Sequence, residues 1–338
     1  MNVLIVRTSA MGDVVHCLPV LRGLRRALPE ARIGWVVEEV FAPLLAGHPD
    51  LDAIFPVRLR PWRKGLLSRP VRREMKAALE AIRGFRPDVA LDLMGNHKAG
   101  LVAWLSGARR IVGARRRDRR EPASAVWINE AVTLRAPHAV DRALEVAAAL
   151  GVAASPADFG GELLLPEVPA ETAGFLAERR RPYVLIQAGA GWGSKTYPPA
   201  FWGEVARRLA AAADVEVWVP VAPGEADLAA GVAAASRGTA RTVDAGPFAA
   251  LAALIRGSRL LLGGDTGPLH LAHALATPVL AVMGPTDPRR HGPYGAPDRA
   301  LTHRLPCSFC YKRFPEARAC LLGVAPAEVA ARGFELLA

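Results

Sequence analysis

Residues 2–19, NVLIVRTSAMGDVVHCLP, run from an apolar stretch through a loop of small residues into a helix-forming segment. An apolar run of strand length followed by a helix is the opening of a β-α-β unit whose strand is covered on both faces. The pattern returns in the second half of the chain. YVLIQ (183–187) precedes the glycine-rich AGAGWGSKTYP, and the strand Leu260–Leu262 precedes GGDTGPLHLAHAL. Strand–loop–helix order that starts twice specifies two doubly wound halves, each with a parallel sheet and helices on both faces.

The intervening segments agree. In the first half, Val3–Val6 reads as a strand. A helix from Asp13 carries Leu18, Leu21, Leu24 and Leu28 and stops at Pro29, with Pro19 set to kink or restart it. Gly34–Val37 is the next strand, Arg72–Arg83 a helix, and PDVALDLMG (87–95) a strand ending in glycine. Residues 151–182 change character, becoming rich in Gly, Pro and Ala, which suits a linker. Strands and helices then resume, with helices at 199–212 and 224–235 around a strand at 215–221. The expected domains are 1–160 and 161–338, the last helix being a candidate to pack back on the first. In this architecture ligands bind in the cleft between domains, at the carboxyl ends of the strands.

Charge narrows the partners. Lys and Arg total 43 against 32 Asp and Glu, for a net charge of +11. The excess concentrates in RLRPWRKGLLSRPVRR (58–73) and ARRIVGARRRDRR (108–120), which points to an anionic partner, although a GC-rich genome also enriches arginine. No run of eighteen apolar residues is free of charge and no signal peptide is evident, so the expectation is a cytoplasmic protein. Four cysteines include Cys307, Cys310 and Cys320 in a C-x2-C-x9-C array, with His303 as an available fourth metal ligand. Three cysteines lack the usual fourth ligand, so reduced thiols are the expected state.

Three loops carry the chemistry. In GGDTGPLHL, Asp265, Thr266 and Gly267 open a helix whose backbone N–H groups face any bound anion, and His270 lies in its first turn. Asp265 or Thr266 acting only as a cap is the structural alternative. In AGAGWGSKTYP, Lys195 is the only lysine between Lys98 and Lys312, an unusual residue in so arginine-rich a chain and a natural cation for a diphosphate. The spacing does not make a Walker A loop. In SAMGD a single glycine stands where a dinucleotide site has three. Asp13 follows it directly, which argues against phosphate binding and against a nicotinamide dehydrogenase. No basic strand interleaved with aromatics supports nucleic-acid binding.

The sequence also resembles a family, the ADP-heptose–lipopolysaccharide heptosyltransferases of glycosyltransferase family 9, over nearly its whole length. VLIVRTSAMGDVVHCLPVLRGL, IGWVVEE, RPWRKG, REPASAVWIN, HAVDRALEVA, GSKTYPPAFW and GDTGPLHLAHALATPVLAVMGPTDP carry the likeness, with WVVEE and WRK nearest the heptosyltransferase I branch. The resemblance implies a GT-B architecture and an inverting, metal-independent transfer of L-glycero-D-manno-heptose, with no cofactor. The donor would be ADP-heptose and the acceptor the Kdo region of lipid A, met at the inner face of the inner membrane. A two-domain nucleotide-sugar epimerase, or a family 9 transferase with another donor or acceptor, is the alternative.

By that resemblance Asp13 is the base and Lys195 stabilises the leaving diphosphate. Ser194, Glu225, Asp265, Thr266, Gly267 and His270 bind the donor, with Glu225 on the ribose. Arg60, Lys64, Lys98 and Arg120 meet the acidic acceptor.

Overall fold

The computed structural model describes residues 1–153, 159 and 166–338. The chain divides into two compact units, Met1–Leu164 and Leu165–Ala338.

In the first unit β1 (Asn2–Val6) feeds α1 (Met11–Val15) and α2 (Leu18–Ala27), and β2 (Arg32–Glu38) and β3 (Ala53–Val57) follow. Next come α3 (Leu59–Lys64), α4 (Arg69–Gly84), β4 (Val89–Asp92), α5 (His97–Leu105), β5 (Arg110–Ala114), β6 (Glu130–Val132) and α6 (Ala139–Ala147). The strands are all parallel, in the order β3-β2-β1-β4-β5-β6. Val3, Leu4, Ile5 and Val6 are fully buried, as a central strand covered on both faces requires. The helix expected from Asp13 to Pro29 breaks after Val15 and restarts at Leu18, with Pro19 in its first turn. Proline has no N–H to give and fits only there.

The second unit opens with α7 (Ala170–Ala177), a helix inside the stretch expected to be linker; much of the remainder of that stretch, 154–158 and 160–165, lies outside the described residues. β7 (Tyr183–Gln187), α8 (Pro199–Ala212), β8 (Glu216–Val221), α9 (Ala226–Ala235), β9 (Ala240–Asp244) and α10 (Phe248–Gly257) follow. Then come β10 (Leu260–Gly263), α11 (Gly267–Ala274), β11 (Val279–Val282), α12 (Pro288–His291), β12 (Ala300–Leu301), α13 (Ala319–Leu322) and α14 (Pro326–Glu335). Their sheet is also wholly parallel, in the order β12-β11-β10-β7-β8-β9. The final helix packs within the second unit. It lies against α8 and β11, where Val329 and Ala330 join the core around Trp202, Leu209 and Leu260.

Numbered within its own unit, each sheet therefore runs 3-2-1-4-5-6. In that order the chain reverses direction between the first and fourth strands, and loops leaving their carboxyl ends diverge to leave room for a ligand. Those strands are β1 and β4 in one unit, β7 and β10 in the other.

Candidate active site

In the second unit the loops after β7 and β10 meet directly. A Cβ on Gly264 would stand 3.0 Å from the Lys195 carbonyl oxygen, so glycine allows the close approach. Across this junction the Lys195 ammonium lies 2.8 Å from Oδ2 of Asp265, while His270 Nε2 lies 3.1 Å from Oδ1. Burial alone would push the Asp265 carboxyl up. The His270 hydrogen bond and the Lys195 charge outweigh it and hold the group well below the usual carboxylate range. Lys195 also sits over the Trp192 ring, 4.4 Å from its centroid, and the Arg313 guanidinium lies 4.7 Å from the same ring.

Thr266 precedes α11 as its N-cap, yet its hydroxyl makes no capping bond. The hydroxyl is buried and has no hydrogen-bond partner among the described residues, and the same holds for Trp192 Nε1 and the Thr286 hydroxyl. Leaving a buried donor unpaired costs about 1–3 kcal/mol. Beside a lysine, and at a helix start where N–H groups point outward, such a hydroxyl is suited to a ligand oxygen.

Glu225 ends the neighbouring loop, after β8, just before α9. Gln187 Nε2 donates to its Oε2 at 3.2 Å, and burial pushes the carboxyl up against that hydrogen bond. The carboxylate occupies the space where a side chain on Gly189 would be.

In the first unit Asp13 lies in the first turn of α1, at the carboxyl end of β1. Its Oδ2 accepts from the Ala10 N–H at 3.2 Å and its Oδ1 is ion-paired with Arg7. Arg7 is held in turn by the Leu93 carbonyl. The Asp13 side chain retains 30% exposure against 13% for Arg7, so the carboxylate is partly solvent-accessible. The neighbouring Cys17 thiol is buried and pushed up to about 11, which makes it inert as a nucleophile.

Arg60 and Lys64 on α3 follow β3, Lys98 opens α5 after β4, and Arg120 follows β5; all are exposed. In a parallel sheet these positions share the carboxyl edge with Asp13. Glu38, at the end of β2, lies within electrostatic reach of both Lys98 and Arg60, which pull its carboxyl down while burial pushes it up more strongly. A buried pair sets the Arg120 loop. Arg119 binds Asp92, with neither side chain exposed, and donates from Nε to the Ser124 hydroxyl at 2.8 Å. The other Asp92 oxygen accepts from the Met94 and Gly95 N–H groups, both at 3.0 Å.

The model of glycosyltransferase family 9 (heptosyltransferase) matches residues 75–318. The chain belongs to this family. Lipopolysaccharide heptosyltransferase 1 of Pseudomonas aeruginosa is 32% identical over 314 residues, covering 93% of this chain and 87% of the relative. The solved structure of E. coli heptosyltransferase WaaC with ADP superposes with a TM-score of 0.76 at 27% identity, covering 99% of this chain and 100% of that one. WaaC with ADP-2-deoxy-2-fluoro heptose gives 0.73 at 27% identity, over 98% of each chain. The protein is a family 9 glycosyltransferase of GT-B architecture.

Within this family 9 enzyme the structure brings Lys195, Asp265, Thr266, Gly267 and His270 together, with Glu225 on a loop of the same sheet edge. Ser194 is the exception. It is 1% exposed, its hydroxyl donates to the Lys312 carbonyl at 2.9 Å, and that hydroxyl accepts from the Phe314 N–H at 3.2 Å. Its own N–H donates to the Phe314 carbonyl at 2.9 Å. These bonds pin the segment after β12 onto the Lys195 loop, so the Ser194 hydroxyl and N–H hold the loop in place.

Arg7, Trp192, Thr286 and Arg119 were not singled out by the sequence. The only sequence signals for them are a cation closing β1, an indole inside a glycine loop and the turn-rich GPTDP. Cys307 and Cys310 are exposed thiols and Cys320 a buried one, all unpaired by disulfides. Among the described residues no group of three or more His, Cys, Asp or Glu side chains is arranged to hold a metal ion, the C-x2-C-x9-C array with His303 included. Nor is any helix among them long and apolar enough to cross a membrane.

Proposed function

We propose that this glycosyltransferase moves L-glycero-D-manno-heptose from ADP-heptose to the Kdo region of a lipopolysaccharide precursor, with inversion at the anomeric carbon. The observation that carries the reading is the Lys195–Asp265–His270 cluster beside the unpartnered Thr266 hydroxyl at the head of α11. A buried cation, a free hydroxyl donor and helix N–H groups form a ready site for a diphosphate.

Asp13 is the base. An acceptor hydroxyl attacks the anomeric carbon and passes its proton to the Asp13 carboxylate. The bond from that carbon to the diphosphate oxygen breaks, and ADP departs with the electron pair. Negative charge grows on the leaving oxygen. Lys195, the Thr266 hydroxyl and the N–H groups of α11 stabilise it in a site that needs no reorganisation. Asp265 holds Lys195 in place and, with His270, offers acceptors and donors to the heptose hydroxyls. Glu225 accepts from the ribose. Arg60, Lys64, Lys98 and Arg120 bind the acceptor's carboxylates and phosphates. The transfer runs without a metal, at the cytoplasmic face of the inner membrane, with no nucleic-acid partner.

The test is a thermal-shift screen of ADP-, UDP-, GDP- and dTDP-sugars, followed by assay of ADP release with ADP-heptose and Kdo-lipid A in the presence of chelator. Selective stabilisation by ADP-sugars and chelator-resistant release are expected. Equal stabilisation by all four nucleotides, or release only without acceptor, would reject the assignment.

A further inference from the structure

The turn between α3 and α4 presents two leucines to solvent. Ser68 N–H donates to the Gly65 carbonyl at 2.8 Å, which places Leu66 and Leu67 at the centre of a hydrogen-bonded turn. Leu67 is 93% exposed and Leu66 51%. Central turn positions normally take Gly, Pro, Asn, Asp or Ser, so paired leucines there serve no local conformational purpose. They cannot fold back, because the turn is anchored on both sides. Trp62 is buried in the core below it, and Val71 packs against the same core and fills the space beside Gly65.

Six cations surround the leucines within fourteen residues: Arg60, Arg63, Lys64, Arg69, Arg72 and Arg73. All are exposed, and among the described residues none forms an ion pair. Arg58, by contrast, is paired with Glu39 and Glu74, and Lys76 with Glu80. Three of the six open α4, where positive charge opposes the helix macrodipole and no acid offsets it. Helix stability therefore does not account for them. An apolar tip ringed by unpaired cations complements a surface with anionic headgroups over a hydrocarbon layer.

We propose that the Leu66–Leu67 turn inserts into an anionic phospholipid bilayer while the arginines of α3 and α4 bind its headgroup phosphates. This places the enzyme on its lipid-borne acceptor's own surface, and so rests on the reading of the acceptor given above.

The test uses the full chain with vesicles of phosphatidylcholine alone or mixed equally with phosphatidylglycerol. Wild type is expected to bind the mixed vesicles, and salt to weaken that binding. Leu66→Ser with Leu67→Ser, and separately Arg69→Gln with Arg72→Gln and Arg73→Gln, should each weaken it about tenfold or more. Both variants should keep the wild-type melting temperature. Both should also keep wild-type turnover on a deacylated, water-soluble Kdo acceptor.

Vesicle binding by the leucine variant equal to wild type would overturn the proposal. So would tighter binding of wild type to a duplex RNA than to the mixed vesicles. No transfer by wild type to the soluble acceptor would instead overturn the acceptor reading, leaving vesicle binding to judge the turn.

Discussion

The two units share a strand order and a switch point but use them differently. In the second, the lysine comes from the loop after one switch strand, β7, and the carboxylate from the loop after the other, β10. The pair closes the switch point and buries both groups, with side chains 10% and 11% exposed. In the first, Arg7 and Asp13 both follow β1, from the loop and from the first turn of α1, and the carboxylate that ends β4, Asp92, is spent internally on Arg119. One unit holds a buried cation, which the proposed function sets against a charge that develops in the reaction. The other leaves one carboxylate partly exposed and puts its candidate acceptor-binding cations on exposed helices and a loop. A common frame thus joins its switch loops by a side-chain ion pair in the second unit and by the Arg7 contact with the Leu93 carbonyl in the first, and the proposed function puts the diphosphate on the former and the base on the latter.

The sharpest way to break this contrast is Asp13→Ala. A positioned general base is worth about 10²–10⁴-fold, so kcat should fall by that factor while KM for ADP-heptose stays near wild type. Turnover close to wild type would remove the base from the first unit. Next in size is Asp92→Ala, which strands the Arg119 charge in the core. Breaking a buried pair from one side costs about 3–5 kcal/mol, read as a lower denaturation midpoint. The exposed Arg110–Glu130 pair, 2.9 Å apart, should cost no more than about 1 kcal/mol when Glu130 is truncated. If the two losses were alike, Asp92 would not be the internal support described here.

The frame was legible in the sequence because each buried strand is an uninterrupted apolar run and each chemical loop starts where such a run ends. Lys195 stood out by rarity and Asp265 by its place before a Gly-Pro helix start. The pairings were not legible. Asp92 and Arg119 lie 27 residues apart, and only the parallel alignment of β4 with β5 brings them together. Nothing local to Ser194 shows that Lys312 and Phe314, 118 and 120 residues away, will use its hydroxyl. Helix α7 was hidden by the glycine and proline around it.

A smaller effect tests the cross-link in the second unit. Lys195→Ala should lower kcat by about 10²-fold through lost charge stabilisation and weaken donor binding as well. Asp265→Asn should alter the acid side of the stability curve. In the native protein the Asp265 carboxyl is held below the usual range. The unfolded chain takes up its proton near pH 4, so it then binds more protons than the native state, and stability rises with pH. This contribution is complete above about pH 5 and drains away as pH falls below the unfolded value. The Asn variant should therefore show a flatter stability profile between about pH 5 and 3, by denaturant titration. An unchanged slope would mean that the Lys195 and His270 contacts do not favour the charged form.

The smallest expected change separates ligand positioning from folding within that same unit. A methyl group on Gly189 would meet the end of the Glu225 side chain, which can swing aside, whereas one on Gly193 would meet the Pro315 backbone, which cannot. Gly189→Ala should leave the melting temperature nearly unchanged, within about 0.5 kcal/mol of stability. It should nonetheless raise KM for the ADP-sugar about tenfold, the worth of one hydrogen bond to a charged group. Gly193→Ala should instead lower the melting temperature and loosen the Lys195 loop, reducing kcat together with stability. If both substitutions acted alike on stability, Glu225 would be a packing residue. The ribose contact would then have to come from elsewhere on the β7–β8 edge.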